Sequence, residues 1–323
     1  MYRTLSFYKY VRIEDPSALR NELYRTWSDL GVLGRIYVAS EGINAQLCVP
    51  KENFEQFDAL VKARSEFSDI PYKFAVEEGD EASFKKLIIK VKQKIVADGL
   101  DDKSFDVTKT GEYLTAKEFN QYVTDPEAIV VDMRNAYESE IGHFETAITP
   151  DVDTFRDELK VVPDLLADKK DKKIALYCTG GIRCEKASAW LRHNGFKDVK
   201  HLKGGIIDYK HQVEREGLEN RFRGKNFVFD ERLGERIGEE IISHCHLCNK
   251  EKSDVHYHCK SEVCHILFIA CDGCIEKKAG YCSLWCQLFD QLPVKFKKLY
   301  ARYYNQFFRP AQFKKNRLRA RVV

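Results

Sequence analysis

Apolar residues recur at helical spacing near the N-terminus and predict an amphipathic helix. On one face of this helix lie Leu19, Leu23, Trp27 and Leu30. Asp15 is suited to cap the helix, Pro16 to take its first position, and Gly31 to end it. The pattern therefore predicts one well-bounded helix at about residues 15–31.

The next runs complete a recognisable order of elements. Two strand-like runs at 34–50 flank Glu41 and Gly42, a second helical run covers 53–67, and a lysine-rich strand-like run covers 83–96. With a first strand before the first helix, the order is strand, helix, two strands, helix, strand. This order predicts a ferredoxin-like α+β module over residues 1–97.

The pattern changes after this module. Residues 98–111 show no clear periodicity and are predicted to be a linker. From 112 to 218, the buried-type strands AIVVDMR, KKIALYC and DVKHLKGGI alternate with helical runs. Such alternation predicts a parallel α/β domain. A connector and cysteine-rich segment occupies 219–292, and a basic tail occupies 293–323.

Composition excludes the disordered and membrane-spanning classes. Of the 323 residues, 44% are apolar, 32% charged and 12% aromatic, and no apolar run approaches the roughly 20 residues of a membrane helix. The N-terminus has no secretory pattern, so a cytoplasmic, reducing setting and no membrane partner are expected. In that setting the 11 cysteines are expected to be metal ligands or reactive thiols rather than disulfides.

The stretch YCTGGIRCEKAS, residues 177–188, carries the candidate chemistry. Cys178 follows a predicted strand, at the edge of an α/β sheet where ligands collect. The loop residues that follow it can turn their backbone N–H groups toward one point; they are Thr179, Gly180, Gly181 and Ile182. Arg183 adds a cation at a helix N-terminus, so a catalytic thiolate at Cys178 is favoured over a packing thiol.

Two chemistries suit a thiolate in such a cradle: cleavage of a phosphate ester, and transport of sulfur as a persulfide. Phosphatase-type cradles place an arginine after five intervening residues, but here Cys184 stands there and Arg183 comes one position earlier. The shorter loop resembles that of the rhodanese family. Further residues that match this family are Asp132, Arg134, Glu138, Gly142, His143, Gly204 and Gly205. The resemblance implies a persulfide on Cys178, with Asp132 and Arg134 as an ion pair that supports the loop.

Longer motifs resemble the bacterial tRNA uridine hydroxylase family. In order along residues 5 to about 290 they are SFYKYVRIEDP, GRIYVASEGINAQLCVP, KIVADG, YCTGGIRCEKASAW, GGIIDY and GKNFVFDERLGERI. The resemblance implies a ferredoxin-like module, a rhodanese domain and a cysteine-rich C-terminal region. It also implies oxygen-dependent 5-hydroxylation of the wobble uridine in the anticodon region of tRNA, with molecular oxygen as co-substrate and Cys178 as the active-site cysteine.

The residues themselves leave the mechanism open. The sequence contains no nucleotide or flavin cofactor motif and no facial-triad iron signature. One hypothesis is that the Cys178 thiolate adds to C6 of uracil and makes C5 electron-rich. Cys184 is either a second reactive thiol or a buried helix residue. The alternatives for the whole protein are a sulfurtransferase and a zinc-dependent RNA-binding protein with an inactive rhodanese domain.

Eight cysteines form four closely spaced pairs that predict metal binding. The pairs are Cys245 and Cys248, Cys259 and Cys264, Cys271 and Cys274, and Cys282 and Cys286. This spacing is typical of structural zinc sites, with an iron–sulfur cluster or free thiols as alternatives. Two sites could form by interleaved or by sequential pairing. A histidine could also replace a cysteine; the candidates are His244, His246, His256, His258 and His265.

The tail combines positive charge with aromatic rings, and no acidic residue follows Asp290. Cations neutralise phosphates and rings stack on unpaired bases, so the tail is a candidate RNA-binding segment. The residues proposed for this role are Lys297, Arg302, Arg309, Lys314 and Arg317. A helix docked on the body with a solvated basic face is the alternative.

Overall fold

The computed structural model describes residues 1–77, 79–100, 105–293, 295–297 and 299. Its N-terminal part contains β1 (Tyr2–Tyr10), α1 (Pro16–Asp29), β2 (Leu33–Ala39), β3 (Gly42–Pro50), α2 (Phe54–Lys62), β4 (Lys73–Phe74) and β5 (Leu87–Val91). The sheet order is β4-β1-β3-β2-β5. Its first four strands have the arrangement of a ferredoxin-like fold, which confirms the predicted fold class.

Local sequence accounts for α1 in the predicted way. The Asp15 carboxylate accepts hydrogen bonds from the backbone N–H groups of Ser17 and Ala18, both at 2.9 Å. Leu19, Leu23 and Trp27 lie on the face of the helix that is turned away from solvent, and they are buried against the sheet. Capping and burial of one apolar face therefore both stabilise this helix.

The closing strand differs from the prediction. The run 83–96 does form a strand at Leu87–Val91, but this strand lies at the sheet edge and pairs in parallel with β2. The position expected for it, beside β1, is taken by the two-residue β4. So short a strand leaves no periodicity in the sequence, and only pairing with β1 defines it.

The central part is a rhodanese-like parallel α/β domain. Its elements are β6 (Glu112–Leu114), α3 (Ala116–Thr124), β7 (Ala128–Asp132), α4 (Ala136–Ser139), β8 (Gly142–Phe144), α5 (Phe155–Leu165), β9 (Lys173–Tyr177), α6 (Ile182–His193), β10 (Asp198–Leu202) and α7 (Gly205–Glu216). Four of the strands form an all-parallel sheet in the order β6-β10-β9-β7. The carboxyl end of β9 therefore lies near the middle of the sheet edge, directly before Cys178.

The predicted linker packs on the central domain through Asp98 and Phe105. Asp98 is buried and its carboxylate lies 2.6 Å from the Lys186 ammonium group on α6. Phe105 packs edge-on against Trp190, with ring centroids 5.3 Å apart. Residues 98–100 and 105–111 thus connect the two domains through buried contacts.

The C-terminal part begins by extending the central domain. Strand β11 (Phe222–Asn226) pairs with β8 and with β12 (Glu235–Arg236). The cysteine-rich segment follows, with the hairpin β13 (His256–His258) and β14 (Leu267–Ile269) and the short helices α8 (Asp272–Lys277) and α9 (Leu284–Asp290). Among the described residues, the helices are all too short or too polar to cross a membrane.

A buried ion pair joins the ends of three strands in the central domain. Arg134 and Asp132 are both fully buried, and their closest side-chain atoms are 2.6 Å apart. Arg134 also donates to the carbonyl oxygen of Gly142 at 2.6 Å, and the Tyr177 hydroxyl donates to Asp132 at 2.7 Å. One ion pair therefore connects the end of β7 to both β8 and β9.

Loss of one partner of this pair should be strongly destabilising. In the Asp132→Asn variant the Arg134 charge stays buried without its counter-ion, so we expect unfolding free energy to fall by about 3–5 kcal/mol. The matched control is Asp171→Asn, which breaks the exposed pair with Lys197 and should leave the unfolding free energy nearly unchanged. Urea unfolding followed by circular dichroism measures both; equal losses would contradict the role of the buried pair.

Candidate active site and metal sites

The loop after β9 wraps around the Cys178 sulfur. Gly181 has a φ of +95°, and its backbone N–H donates to Cys178 Sγ over 3.2 Å. Helix α6 begins at the next residue, so the positive end of its dipole also faces the loop. The glycine at the turn is required because a side chain is strained at this φ.

A second glycine pair lets another helix approach the same cysteine. The backbone N–H of Ile206 donates to the Cys178 carbonyl oxygen at 3.0 Å. A Cβ atom on Gly205 would lie 2.4 Å from that oxygen, which is closer than packing allows. Residues 204–205 thus hold the start of α7 against the loop, as their predicted place in the rhodanese pattern requires.

The environment of Cys178 favours its thiolate. Burial by itself would raise the pKa of this thiol, because the charged form loses its water. A hydrogen bond from the Cys184 thiol, the charge of Arg183 and the backbone N–H groups of Cys184 and Arg183 outweigh burial and lower the pKa to about 5. This environment therefore favours the thiolate form of Cys178 at neutral pH.

The side chain of Arg183 acts on Cys178 only as a charge. Its guanidinium group forms a two-pronged pair with Glu138, with N···O distances of 2.6 and 2.9 Å. It also lies 3.3 Å from the Thr179 hydroxyl in the loop. Glu138 sits on α4 and is fully buried, so the pair fixes the arginine beside the loop.

Cys184 is a second thiol beside Cys178. It is buried within the core cluster of the central domain, and burial together with the neighbouring Cys178 charge raises its pKa well above the ordinary value. The structure thus places Cys184 at a buried helix position, with a protonated thiol beside Cys178. A reactive role for this thiol stays a prediction.

A cavity of about 320 Å³ opens beside the loop. Loop residues from Cys178 to Arg183 form one wall, the N-terminal sheet contributes Tyr8 and Lys73, and the connector contributes Phe229. A second cavity of about 620 Å³ shares Tyr8 and Lys73 with the first. The site is therefore built between domains, which a sequence-based reading of the central domain alone could not show.

Tyrosines surround a carboxylate where the two cavities meet. The hydroxyls of Tyr8 and Tyr113 both donate to Glu185, each at 2.9 Å. Burial raises the pKa of Glu185, although these two hydrogen bonds act in the opposite direction. Tyr8 falls in a motif that carried the family resemblance, but its role at the site had no signal in the sequence. The positions of Lys73 and Glu185 at the site had no signal in the sequence either.

The cysteine pairs form two separate groups. The first and third pairs come together as Cys245, Cys248, Cys271 and Cys274, and the second and fourth as Cys259, Cys264, Cys282 and Cys286. In each group the sulfur atoms lie within 4.8 Å of one another. The interleaved arrangement is thus the one that the structure forms, and each group has four cysteines without a histidine.

The sulfur separations fit a bound metal. Four thiolates around a tetrahedral ion at about 2.3 Å lie about 3.8 Å from one another. The sulfur of Cys282 lies 3.7 Å from that of Cys264 and 3.6 Å from that of Cys286. Both groups could therefore hold a metal ion.

Two of the predicted histidine alternatives, His246 and His256, have other partners. His246 Nε2 lies 3.0 Å from Glu140 in the central domain, and the ring of the buried His256 packs against Phe227.

Of the tail residues predicted to bind RNA, Lys297 lies 3.9 Å from Asp290. Arg302, Arg309, Lys314 and Arg317 lie outside the described residues.

Comparison with known proteins supports this domain order. The fold and the loop define a rhodanese-like domain, and the model of that domain matches residues 115–212. A model described as a UPF0176 acylphosphatase-like domain matches residues 2–95, and one described as rhodanase C-terminal matches residues 223–287.

Curated relatives match nearly the whole chain. A protein of Leptospira interrogans named tRNA uridine(34) hydroxylase is 56% identical over 91% of this chain and 80% of its own length. Proteins of the same name from Photorhabdus laumondii and Escherichia coli O9:H4 are 51% and 52% identical over 90% and 88% of this chain, and over 82% and 81% of their own lengths. The chain belongs to the tRNA uridine(34) hydroxylase family.

The low pKa of Cys178 can be tested by substituting the neighbouring Cys184. We expect alkylation of Cys178 by iodoacetamide to rise through a midpoint near pH 5. Cys184→Ala removes a hydrogen-bond donor to the thiolate and should move the midpoint to higher pH, whereas Cys184→Ser keeps a donor and should move it less. Peptide mass spectrometry measures the alkylation. An unchanged midpoint in Cys184→Ala would contradict the thiol–thiolate contact.

The grouping of the cysteines predicts a pattern of metal loss. Cys248→Ser and Cys274→Ser should each remove one ion per chain, and the double variant should also remove only one because both residues belong to one group. Cys248→Ser combined with Cys286→Ser should remove two. Elemental analysis of purified protein gives the counts, with Cys48→Ser as a control that keeps both ions. Loss of two ions from the first double variant would favour sequential pairing.

Proposed function

We propose that this protein hydroxylates C5 of the wobble uridine, position 34, in the anticodon of tRNA, with molecular oxygen as co-substrate. The observation that carries the proposal is the low-pKa thiol of Cys178 at the wall of an interdomain cavity. The relatives that bear this activity in their names cover about 90% of the chain, and their family supplies the choice of substrate.

The cavity suits a single base. At about 320 Å³, it lies at the lower end of the roughly 300–1,000 Å³ typical of small-molecule sites. Enzymes that modify a base move it out of its stack into such a pocket, and this costs least in a single-stranded loop. A wobble base, in the anticodon loop, meets that condition.

The thiolate acts as a nucleophile toward uracil. Cys178 Sγ bonds to C6, and the electron pair of the C5–C6 double bond moves toward C5 and the O4 carbonyl. C5 becomes electron-rich and accepts an oxygen atom, and loss of the C5 proton with departure of the thiolate restores the double bond. The second oxygen atom becomes water with two electrons and two protons, which we assign to a thiol reductant that is oxidised to a disulfide.

Residues around the second cavity are proposed to hold the neighbouring nucleotides. Tyr10, Tyr72 and Tyr113 offer rings for unpaired bases, and Lys9 and Lys203 offer charges for phosphates. The tail residues Lys297, Arg302, Arg309, Lys314 and Arg317 are proposed to add phosphate contacts from the C-terminal side.

The cysteine-rich segment is proposed to bind two zinc ions with a structural role. Each group offers four thiolates and leaves no open position for a substrate, which is typical of structural zinc. Since the segment has a small core made largely of the cysteines themselves, bound metal would supply much of its folding free energy. We place the protein in the cytoplasm, where its substrate is found.

The test is nucleoside mass spectrometry of hypomodified tRNA incubated with purified protein and a thiol reductant. In air we expect a gain of one oxygen on uridine 34, with the label of ¹⁸O₂ retained in the product. Under argon, and with Cys178→Ser in air, the gain should vanish because the acceptor or the nucleophile is absent.

Two outcomes would overturn this proposal. Hydroxylation that persists at full rate in Cys178→Ser would exclude the thiolate mechanism. No oxygen gain by wild type, together with transfer of sulfur from thiosulfate to a thiol acceptor, would assign the Cys178 loop to a sulfurtransferase.

A further inference from the structure

Lys73 is a buried cation at the junction of the two cavities. It lies on the two-residue strand β4 and is 8% exposed. Its side chain lies beside Gly180 of the Cys178 loop, since a Cβ atom built on that glycine would be 3.8 Å from Lys73 Cδ. The ammonium group lies 4.5 Å from the centroid of the Tyr8 ring, and the residue lines both cavities.

The ammonium group of this lysine has no hydrogen bond or ion pair with any residue that the structure describes. The other buried cations of the site do: Arg183 pairs with Glu138, and Lys186 with Asp98 and Glu41. Asp208, Cys178 and Glu185 act on Lys73 only as charges at a distance, and burial lowers its pKa. An unpaired buried charge is unfavourable for folding, so the fold does not account for a lysine at this position.

We propose that Lys73 binds O4 of the target uracil and stabilises the negative charge which that oxygen gains when Cys178 adds to C6. The inference rests on the function proposed above and extends it to a catalytic residue from the N-terminal domain. The ligand is a carbonyl oxygen that becomes an enolate oxygen in the reaction.

The chemistry requires a cation at this point. When the thiolate forms the S–C6 bond, the C5–C6 π pair shifts to C5–C4 and the C4–O4 π pair moves to O4, so the charge of the sulfur is transferred to that oxygen. No electrons are lost or gained in this step. A fixed ammonium group interacts more strongly with the enolate than with the neutral carbonyl, which lowers the barrier rather than only strengthening binding.

Burial favours a carbonyl over a phosphate as the partner of Lys73. A phosphate carries its charge before binding and would have to lose its water to reach a group that is 8% exposed. Uracil is neutral when it enters and becomes charged only after Cys178 has reacted. The exposed Lys203 at the second cavity is better placed for phosphate.

The test compares Lys73→Met, Lys73→Arg and wild type. Met has a similar length and no charge, so Lys73→Met should raise Tm by removing an unpaired buried cation. Its kcat for uridine hydroxylation should fall about 10²–10³-fold, the typical effect of losing one oxyanion donor. The affinity for tRNA, measured by filter binding, should change little. Lys73→Arg should recover part of kcat because it restores the charge.

A second readout isolates the addition step. Under argon, tRNA labelled with tritium at C5 of uridine should release tritium to water, because the enolate exchanges its C5 hydrogen with solvent. Lys73→Met should slow this release by the same factor as kcat. Lys160→Met, which removes an exposed lysine on α5, should match wild type in both assays.

The outcomes separate this inference from the proposed function. If wild type adds oxygen to uridine and Lys73→Met does so with the same kcat, or loses only tRNA affinity, the role of Lys73 is overturned and the function stands. Hydroxylation by wild type in air, without any tritium release under argon, would also overturn it, since no enolate would form before oxygen reacts. If wild type adds no oxygen, the proposed function fails first.

Discussion

Burying a thiolate is unfavourable unless hydrogen-bond donors and cations replace the water that it loses. At Cys178 these groups come from one turn of chain: the backbone N–H of Gly181, the start of α6, the Cys184 thiol and the charge of Arg183. Each depends on the turn between β9 and α6 having the φ of +95° that Gly181 provides. Much of the central domain can be understood as support for this turn.

That support consists of buried ion pairs. Glu138 holds Arg183 beside the loop, and Arg134 with Asp132 fixes the ends of β7, β8 and β9 around it. Lys186, two residues beyond Cys184 on α6, pairs with Glu41 of the N-terminal domain and Asp98 of the connecting segment. Charges of this kind are costly to leave unpaired in the interior, so they define where each helix and strand end must lie.

The N-terminal domain completes the site instead of standing apart from it. Tyr8 on β1 donates to Glu185 on α6, and Lys73 on β4 lies against the Cys178 loop. The loop by itself supplies a nucleophile, which suits many reactions. Residues of the N-terminal domain enclose Cys178 in a pocket, and the ammonium group of Lys73 is a buried cation in that pocket that has no carboxylate partner among the described residues.

Several features follow from the sequence because they are local. The cap and apolar face of α1, the alternation of strand and helix after residue 111, the cysteine loop and the four cysteine pairs all depend on neighbours within a few positions. The buried partners of Arg183 and Lys186 do not, because they are 45 and 145 or 88 residues away and no local pattern distinguishes their carboxylates from exposed ones.

Tertiary structure alone decided the rest. The short strand β4 exists only because β1 offers it a partner, and the extra strand β5 took the opposite edge of the sheet from the one expected. The interleaving of the cysteine pairs depends on how the chain between them folds back. The sequence by itself indicated Cys178 as the candidate cysteine and the class of fold around it. Only packing between domains decided which groups face Cys178, because Tyr8 and Lys73 are far from it along the chain and are brought to it by the contact of two domains with separate cores.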